Sequence, residues 1–261
     1  MKVNAIIQAR MGSSRLPGKT LAIVGDQPLL LHVIERTAAS QRVSEVIVAT
    51  TTEPEDDAIV DRVGGKCRVY RGSVNDVLDR YYQSARMRES EIVVRITADD
   101  PFKDPDVVDQ VIAALIDDPG LDYASNTLTP TYPEGLDVEA VRFKALERAW
   151  HEAKLSSDRE HVTPYIWRQP HLFKTANVAY SPDLSSLRWT IDYEQDLTFA
   201  REIYQRLGQN GRIFRMQEIL DLLEREPHLR TINNGFVRNA GYQKSLAEDT
   251  ITIGTKDTKQ G

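Results

Sequence analysis

One cysteine, Cys67, is all the chain holds, so no intrachain disulfide can form and a cysteine-rich zinc site is excluded. The five histidines (His32, His151, His161, His171 and His228) form no close pair, which argues against a histidine zinc site as well. No apolar run approaches the roughly 20 residues of a bilayer-spanning helix. The residues Met1-Lys2-Val3-Asn4 read as the start of a strand, and no secretory pattern is expected there. Positive charge is not in excess, since the formal net charge is −6 and the pI is near 5.5. That balance gives no global reason to bind nucleic acid or an anionic membrane. Neither a repeat nor a clear linker divides the chain. The expectation is a soluble cytoplasmic protein with small-molecule rather than nucleic-acid or membrane partners.

What is present points to an α/β fold. The 261 residues are 41% hydrophobic, enough for one large core. Short β-branched runs at Val3–Ile7, Glu45–Thr50, Cys67–Tyr70 and Glu91–Thr97 alternate with helical patterns: Pro28–Ser40, Glu55–Val63, one carrying Val77, Leu78, Tyr81, Tyr82 and Ala85, and one carrying Val107 to Leu115. Such alternation implies right-handed crossovers and a mainly parallel sheet. Ligands of such sheets lie beyond the carboxyl ends of the strands, which gathers loops 8–19, 50–54, 71–76 and 97–101 around one crevice. After residue 120 the rhythm loosens. Strands are expected at Asp137–Val141, Phe173–Tyr180 and Leu187–Ile191, and helices at Phe143–Ala153, Asp158–Arg168, Glu194–Leu207 and Met216–Arg225. The division expected is one domain, residues 1–245, with a nucleotide-binding half (1–120) and an acceptor-binding and dimerisation half (121–245). The polar residues 246–261 are expected to be a disordered tail.

The organising stretch is Gln8-Ala9-Arg10-Met11-Gly12-Ser13-Ser14-Arg15-Leu16-Pro17-Gly18-Lys19, between the first strand and the first helix. Its glycines let backbone approach a ligand closely, and its three cations with backbone N–H groups suit a polyphosphate. It is not the phosphate loop of ATPases: five residues separate Gly12 from Gly18, one more than that motif allows, and Pro17 removes an N–H. A solvated basic turn is the bland alternative.

This loop resembles the signature of sugar nucleotidyltransferases, and its QARMGSSRLPGK wording is most similar to bacterial cytidylyltransferases. These include the enzymes that activate Kdo and sialic acids, and the SpsF-like spore-coat polysaccharide group. The run Arg71-Gly72-Ser73-Val74-Asn75-Asp76-Val77-Leu78-Asp79-Arg80-Tyr81-Tyr82 is similar to the SpsF-like group almost throughout. The resemblance spans roughly residues 3 to 245. It implies a Rossmann-like three-layer α/β/α nucleotide-diphospho-sugar transferase fold with a C-terminal extension. It also implies CMP transfer from CTP to an acidic sugar or a phosphorylated small molecule for surface polysaccharide, Mg²⁺ dependence and a homodimer. A uridylyl- or guanylyltransferase and a non-catalytic nucleotide-binding protein remain alternatives.

The residues divide by expected role. Ala9, Arg10, Gly12, Ser13, Ser14, Arg15 and Lys19 would hold the triphosphate, with Lys19, Arg10 and Arg15 stabilising departing pyrophosphate. Thr50 and Thr51 at the end of the second strand, and Thr97 at the end of the fourth, would face the nucleotide. Thr52 with Glu55 reads as a capping box. By resemblance Arg71, Asp76 and Arg80 lie near the nucleotide; the residues alone read as a helix start capped by Ser73 or Asn75. Asp99 closes a buried strand where Mg²⁺ would take one or two carboxylates plus phosphate oxygens, and it matches the family's metal-binding Asp by position. Asp100 is the true metal ligand in place of Asp99, a second ligand or an acceptor contact, or it caps the next helix, as Asp104 could. Asp192 resembles the family's second acidic position and is the partner metal ligand, with N-capping as its alternative. SpsF-like segments place Glu134, Asp137 and Glu139, and then Arg159, Glu160 and His161, near the acceptor.

Overall fold

The computed structural model describes residues 1–236 and 238–257. The N-terminal apolar run is strand β1 (Val3–Gln8), and a small antiparallel hairpin, β2 (Ile23–Val24) and β3 (Gln27–Pro28), precedes helix α1 (Leu29–Ala38). Then follow β4 (Glu45–Thr51), α2 (Asp57–Val63), β5 (Arg68–Gly72), α3 (Val77–Met87), β6 (Ile92–Thr97) and α4 (Pro105–Asp117). The second half contributes β7 (Tyr123–Ser125), β8 (Glu139–Arg142), α5 (Phe143–Glu152), α6 (Ser156–His161), α7 (Pro164–Trp167), β9 (Thr175–Asn177), α8 (Glu194–Leu207), α9 (Met216–Arg225) and α10 (Ala240–Asp257).

Seven strands make one sheet in the order β5-β4-β1-β6-β8-β7-β9, with only β8 antiparallel to its neighbours. Strands buried on both faces need side chains that are apolar in both directions, which is why β1, β4 and β6 read as continuous hydrophobic runs. Ala5, Ile7, Val46, Val48, Val94 and Ile96 meet α1, α2, α4, α8 and α9 on one face. Ile6, Ile47, Ala49 and Val93 meet α3, α5 and α7 on the other. From β1 the chain winds outward to β4 and β5, then returns to β6 on the opposite side. The reversal between β1 and β6 is the position where ligands enter doubly wound sheets. Because Gln8 is in register with Thr97, loops 8–19 and 97–101 leave the sheet side by side.

Four expectations are corrected. The helix expected at Asp158–Arg168 is two short helices, α6 and α7, since Val162 takes a positive φ of 73° and Pro164 starts a new turn, having no N–H to continue the old one. Leu187–Ile191 is not a strand of the sheet; it makes one bridge, Glu134 to Arg188, and its Ile191 N–H donates to the Asp99 carbonyl at 2.9 Å. The segment is held by loops at the carboxyl edge rather than by a ladder. Residues 246–257, expected within a disordered tail, continue α10; Ser245 and Asp249 are buried, and the Ser157 N–H donates to Asp249 at 3.2 Å. Residues 258–261 of that expected tail lie outside the described residues. Finally, Thr52 is exposed and no capping box forms there. Among the described residues no helix is long and apolar enough to cross a membrane.

Candidate active site

The loop after β1 is fixed at its base. Asp56, almost fully buried, accepts from the Met11 N–H at 2.7 Å and from the hydroxyl and N–H of Thr51, tying the ends of β1 and β4 together. The Thr20 hydroxyl donates to the Arg10 carbonyl at 2.7 Å. Gly18 turns the loop at φ 74°, a conformation that favours glycine, and delivers Lys19 inward. Gly12 and Ser14 make no hydrogen bond among the described residues. A cavity of about 280 Å³ opens over this loop, lined by Gln8, Ala9, Arg10, Gly12, Ser13, Ser14, Arg15, Lys19, Thr20, Thr97, Ala98, Asp99 and Asp192.

Lys19 joins two distant parts of the chain. Its Nζ donates to Asp99 Oδ2 at 2.7 Å, to the Ile191 carbonyl at 2.7 Å and to Asp192 Oδ1 at 2.8 Å. Arg15 adds a second cation to Asp192 Oδ1 at 2.6 Å. Burial by itself would push the Asp192 carboxyl up, but Lys19 and Arg15 outweigh it and hold the group down at about 2. Burial likewise opposes charge on Lys19, and the two aspartates overcome it, so its pKa is raised. Helix capping does not consume these acids. Asp196 caps α8, accepting from the N–H groups of Asp192 and Tyr193 at 2.9 and 3.0 Å, and Asp104 caps α4 by accepting from Asp106.

Asp99 and Asp192 are the residues that could hold a magnesium ion. Their oxygens converge on one nitrogen and keep part of their surface in the cavity, and hard oxygen donors are the ligands Mg²⁺ takes. Among the described residues no group of three metal-ligating side chains exists, so phosphate and water oxygens would have to complete the coordination.

Arg10 is exposed and borders a neighbouring cavity of about 420 Å³ with Gln8, Ala9, Val74, Asn75, Val77, Arg80, Ser156, Glu160 and His161. Arg80 is 98% buried, and among the described residues its Nε has no acceptor. Other residues expected near the nucleotide are elsewhere. Thr50 and Thr51 are fully buried, because they lie inside β4 rather than beyond its end, and the Thr51 hydroxyl is taken by Asp56. Arg71 reaches back to the carbonyls of Thr51 and Glu53 and to Asp57, clamping the loop after β4. Asp76, rather than Ser73 or Asn75, caps α3 and also pairs with Arg159. Arg159 therefore holds α3 to α6 and lines neither cavity.

The third cavity, about 460 Å³, continues past Asp99 and Asp192. Asp100, Glu134, Asp137, Glu139 and His161, expected near the acceptor, line it, while Glu160 borders only the previous cavity. Asp100 is buried against Lys103 at 3.0 Å; burial lifts its carboxyl to about 6 against the pull of Lys103. Glu139 accepts from Arg95, from Thr163 and from Tyr123 at 2.6 Å. His161 faces Ser245 at 3.0 Å, and burial, with Arg95 nearby, lowers its pKa to about 4.

Several wall residues escaped the sequence reading: Arg95, Thr127, Thr163, Trp167 and residues 239–243 at the start of α10. Arg188, behind the wall, pairs with Glu134, Asp192 and Asp196. Arg95 alternates with apolar neighbours in β6, a visible but easily discounted signal. Nothing local marks 239–243, which reach the cavity only because α10 packs on α6.

Comparison with known proteins follows the same division. A family model described as cytidylyltransferase matches residues 4–222. The chain is 33% identical to the spore coat polysaccharide biosynthesis protein SpsF of Bacillus subtilis over 87% of this chain and 95% of that one. It is 40% identical to the 3-deoxy-manno-octulosonate cytidylyltransferase of Pelobacter propionicus, but over only 48% of this chain and 49% of the relative. Among solved structures, a cytidylyltransferase from Leptospira borgpetersenii superimposes with a TM-score of 0.85 at 29% identity, covering 91% of this chain and 100% of the other.

Proposed function

The chain belongs to the cytidylyltransferase family, and on that premise we propose that it transfers CMP from CTP to a small-molecule acceptor in a Mg²⁺-dependent reaction that releases pyrophosphate. The proposed acceptor is an acidic sugar or a phosphorylated small molecule serving surface polysaccharide, in keeping with the name of the Bacillus subtilis spore coat polysaccharide biosynthesis protein. The observation that carries the proposal is Lys19 Nζ, held between Asp99 and Asp192 beneath the glycine-serine loop.

In this reading an acceptor oxygen forms a bond to the α-phosphorus of CTP in line with the oxygen that bridges to the β-phosphorus. That bridging bond breaks, pyrophosphate leaves, and a hydroxyl nucleophile gives up its proton to solvent water, whereas a phosphate oxygen already ionised has none to lose. Positioning and charge neutralisation dominate such transfers. Arg10, Arg15 and Lys19 stand along the loop cavity as cations for the triphosphate and for the charge that grows on departing pyrophosphate. Gly12 and Ser14 offer backbone close to a ligand. Asp99 and Asp192 would hold Mg²⁺, which when bound supplies neutralising charge at the α-phosphate. The nucleoside would extend into the neighbouring cavity beside Ala9 and Arg80, and the acceptor would occupy the cavity that contains Asp100, Glu134 and Asp137.

The test has two arms. Thermal shift with CTP, UTP, GTP and ATP reads nucleotide choice; preferential stabilisation by UTP or GTP would favour an NDP-sugar enzyme instead. Pyrophosphate release from CTP with Mg²⁺ and an acceptor panel reads catalysis, and its loss on chelation reads the metal. CTP binding without release from any acceptor would favour a non-catalytic binding protein.

A further inference from the structure

Arg188 lines none of the three cavities, yet each of its guanidinium nitrogens donates to a carboxylate. Nε and Nη2 make a fork onto Asp196 at 3.0 and 3.1 Å. Nη1 reaches Glu134, in the wall of the third cavity, at 2.7 Å, and Nη2 also approaches Asp192 Oδ2 at 3.4 Å. The cluster is packed shut: the Arg188 side chain is 8% exposed and that of Asp196 not at all. The stacked rings of Tyr193 and Phe236 lie 5.9 and 5.3 Å from the guanidinium. Asn233 donates to both the Arg188 carbonyl and Asp196 Oδ1.

The two oxygens of Asp192 are divided between opposite sides. Lys19 and Arg15 both donate to Oδ1, whereas Arg188 approaches Oδ2. In the CMP-transfer reading Lys19 and Arg15 turn to phosphate oxygens and Asp192 is given to Mg²⁺, so their contacts with Oδ1 do not persist. The hold from Arg188 is independent of that exchange. Its direct contact with Oδ2 is long for a hydrogen bond, and most of the restraint passes through Asp196, whose Oδ2 accepts from the Asp192 and Tyr193 N–H groups. We infer that Arg188 is a positioning residue for the metal site: it fixes the main chain of Asp192 through Asp196 and its side chain at Oδ2, so that Oδ1 faces the cavity. Outer partners of this kind orient a metal-ligating carboxylate and support its affinity for the ion. Lysine could not take this place, because a single ammonium lacks the planar fork that reaches three acids at once. The inference rests on the CMP-transfer reading and adds to it a residue that touches neither nucleotide nor acceptor.

The test is Arg188→Lys in the full-length protein. Mn²⁺, standing in for Mg²⁺, is titrated into protein with CTP and no acceptor and followed by water proton relaxation, at a temperature where circular dichroism shows the variant folded. The Mn²⁺ midpoint is expected to rise about tenfold or more, the usual cost of losing an outer partner of a metal ligand. With an acceptor that supports turnover, pyrophosphate release lost at low Mg²⁺ should return as Mg²⁺ is raised. Should Arg188→Lys not fold, Arg188→Met with Glu134→Gln removes both charges of one buried pair, while Asp196 keeps its N–H and Asn233 donors; the same rise is expected. A brace of the fold alone would lower the urea midpoint and leave the Mn²⁺ midpoint within about twofold of the unaltered protein. That result overturns the inference while CMP transfer stands, and failure of both variants to fold overturns it as well. No Mn²⁺ uptake by the unaltered protein with CTP overturns the metal-dependent reading itself, and this role with it.

Discussion

Lys19→Met removes one charge and keeps most of the apolar stem. Its Nζ makes three hydrogen bonds of 2.7 to 2.8 Å, two of them to carboxylates. Without it, Asp99 and Asp192 face each other with only Arg15 and Arg188 nearby. Two like charges about 5 Å apart at an effective dielectric near 20 repel by about 3 kcal/mol. The acids are 27% and 19% exposed, so water and the remaining arginines should reduce the stability loss to about 1–2 kcal/mol. The kinetic loss should be larger. A cation aimed at developing pyrophosphate charge is worth on the order of 10²–10³ in rate, or about 3–4 kcal/mol. The assay is kcat for pyrophosphate release at saturating CTP, beside urea unfolding of the same preparations. A kcat within about threefold of the unaltered protein would refute the catalytic role. So would a rate loss that merely followed the loss of folded protein.

Asp56→Ala should cost about 2 kcal/mol, the order of leaving the N–H groups it bonds without an acceptor, and should weaken CTP binding by loosening Met11. Urea unfolding and nucleotide titration measure the two effects separately. Gly135→Ala places a Cβ 2.7 Å from Thr190 N and Trp189 C at φ 103°, so a loss of roughly 3 kcal/mol or more in stability is expected; a near-normal melting temperature would contradict the packing described. For His161 the folded pKa of about 4 lies below the ordinary 6.5, so the unfolded chain binds more protons between these values. Stability tied to this group is present above pH 6.5 and is lost as pH falls toward 4. His161→Gln should flatten that decline in denaturant titrations at pH 7 and pH 4.5, and an unchanged decline would argue against the burial of the ring.

How far each part of the site could be read from sequence depends on the range of the interactions that place it. Loop 8–19 was legible because glycines and cations announce themselves within a single strand-loop-helix unit. Asp99 was legible as an acid at a strand end. The burial of Thr50 and Thr51 was not legible, because composition shows that hydroxyls end a strand, but not that the strand runs one residue further and buries both. The partners of Arg71 and Arg159 are carbonyls and carboxylates of other loops and helices, which sequence does not show: an arginine beside a ligand loop and an arginine that braces one look alike until their acceptors are known.

Hydrophobic periodicity and turn chemistry act between residues close in sequence, so the chain alone determined the alternating elements, the parallel sheet's core and the basic loop after β1. Only the tertiary structure decided that Asp192, 173 residues from Lys19, shares its ammonium with Asp99, and that α10 walls the third cavity. Those contacts depend on where the segment around Ile191 and the helix around Ser245 dock. Docking is set by summed long-range packing and by hydrogen bonds between remote loops, which leave no local pattern in the sequence.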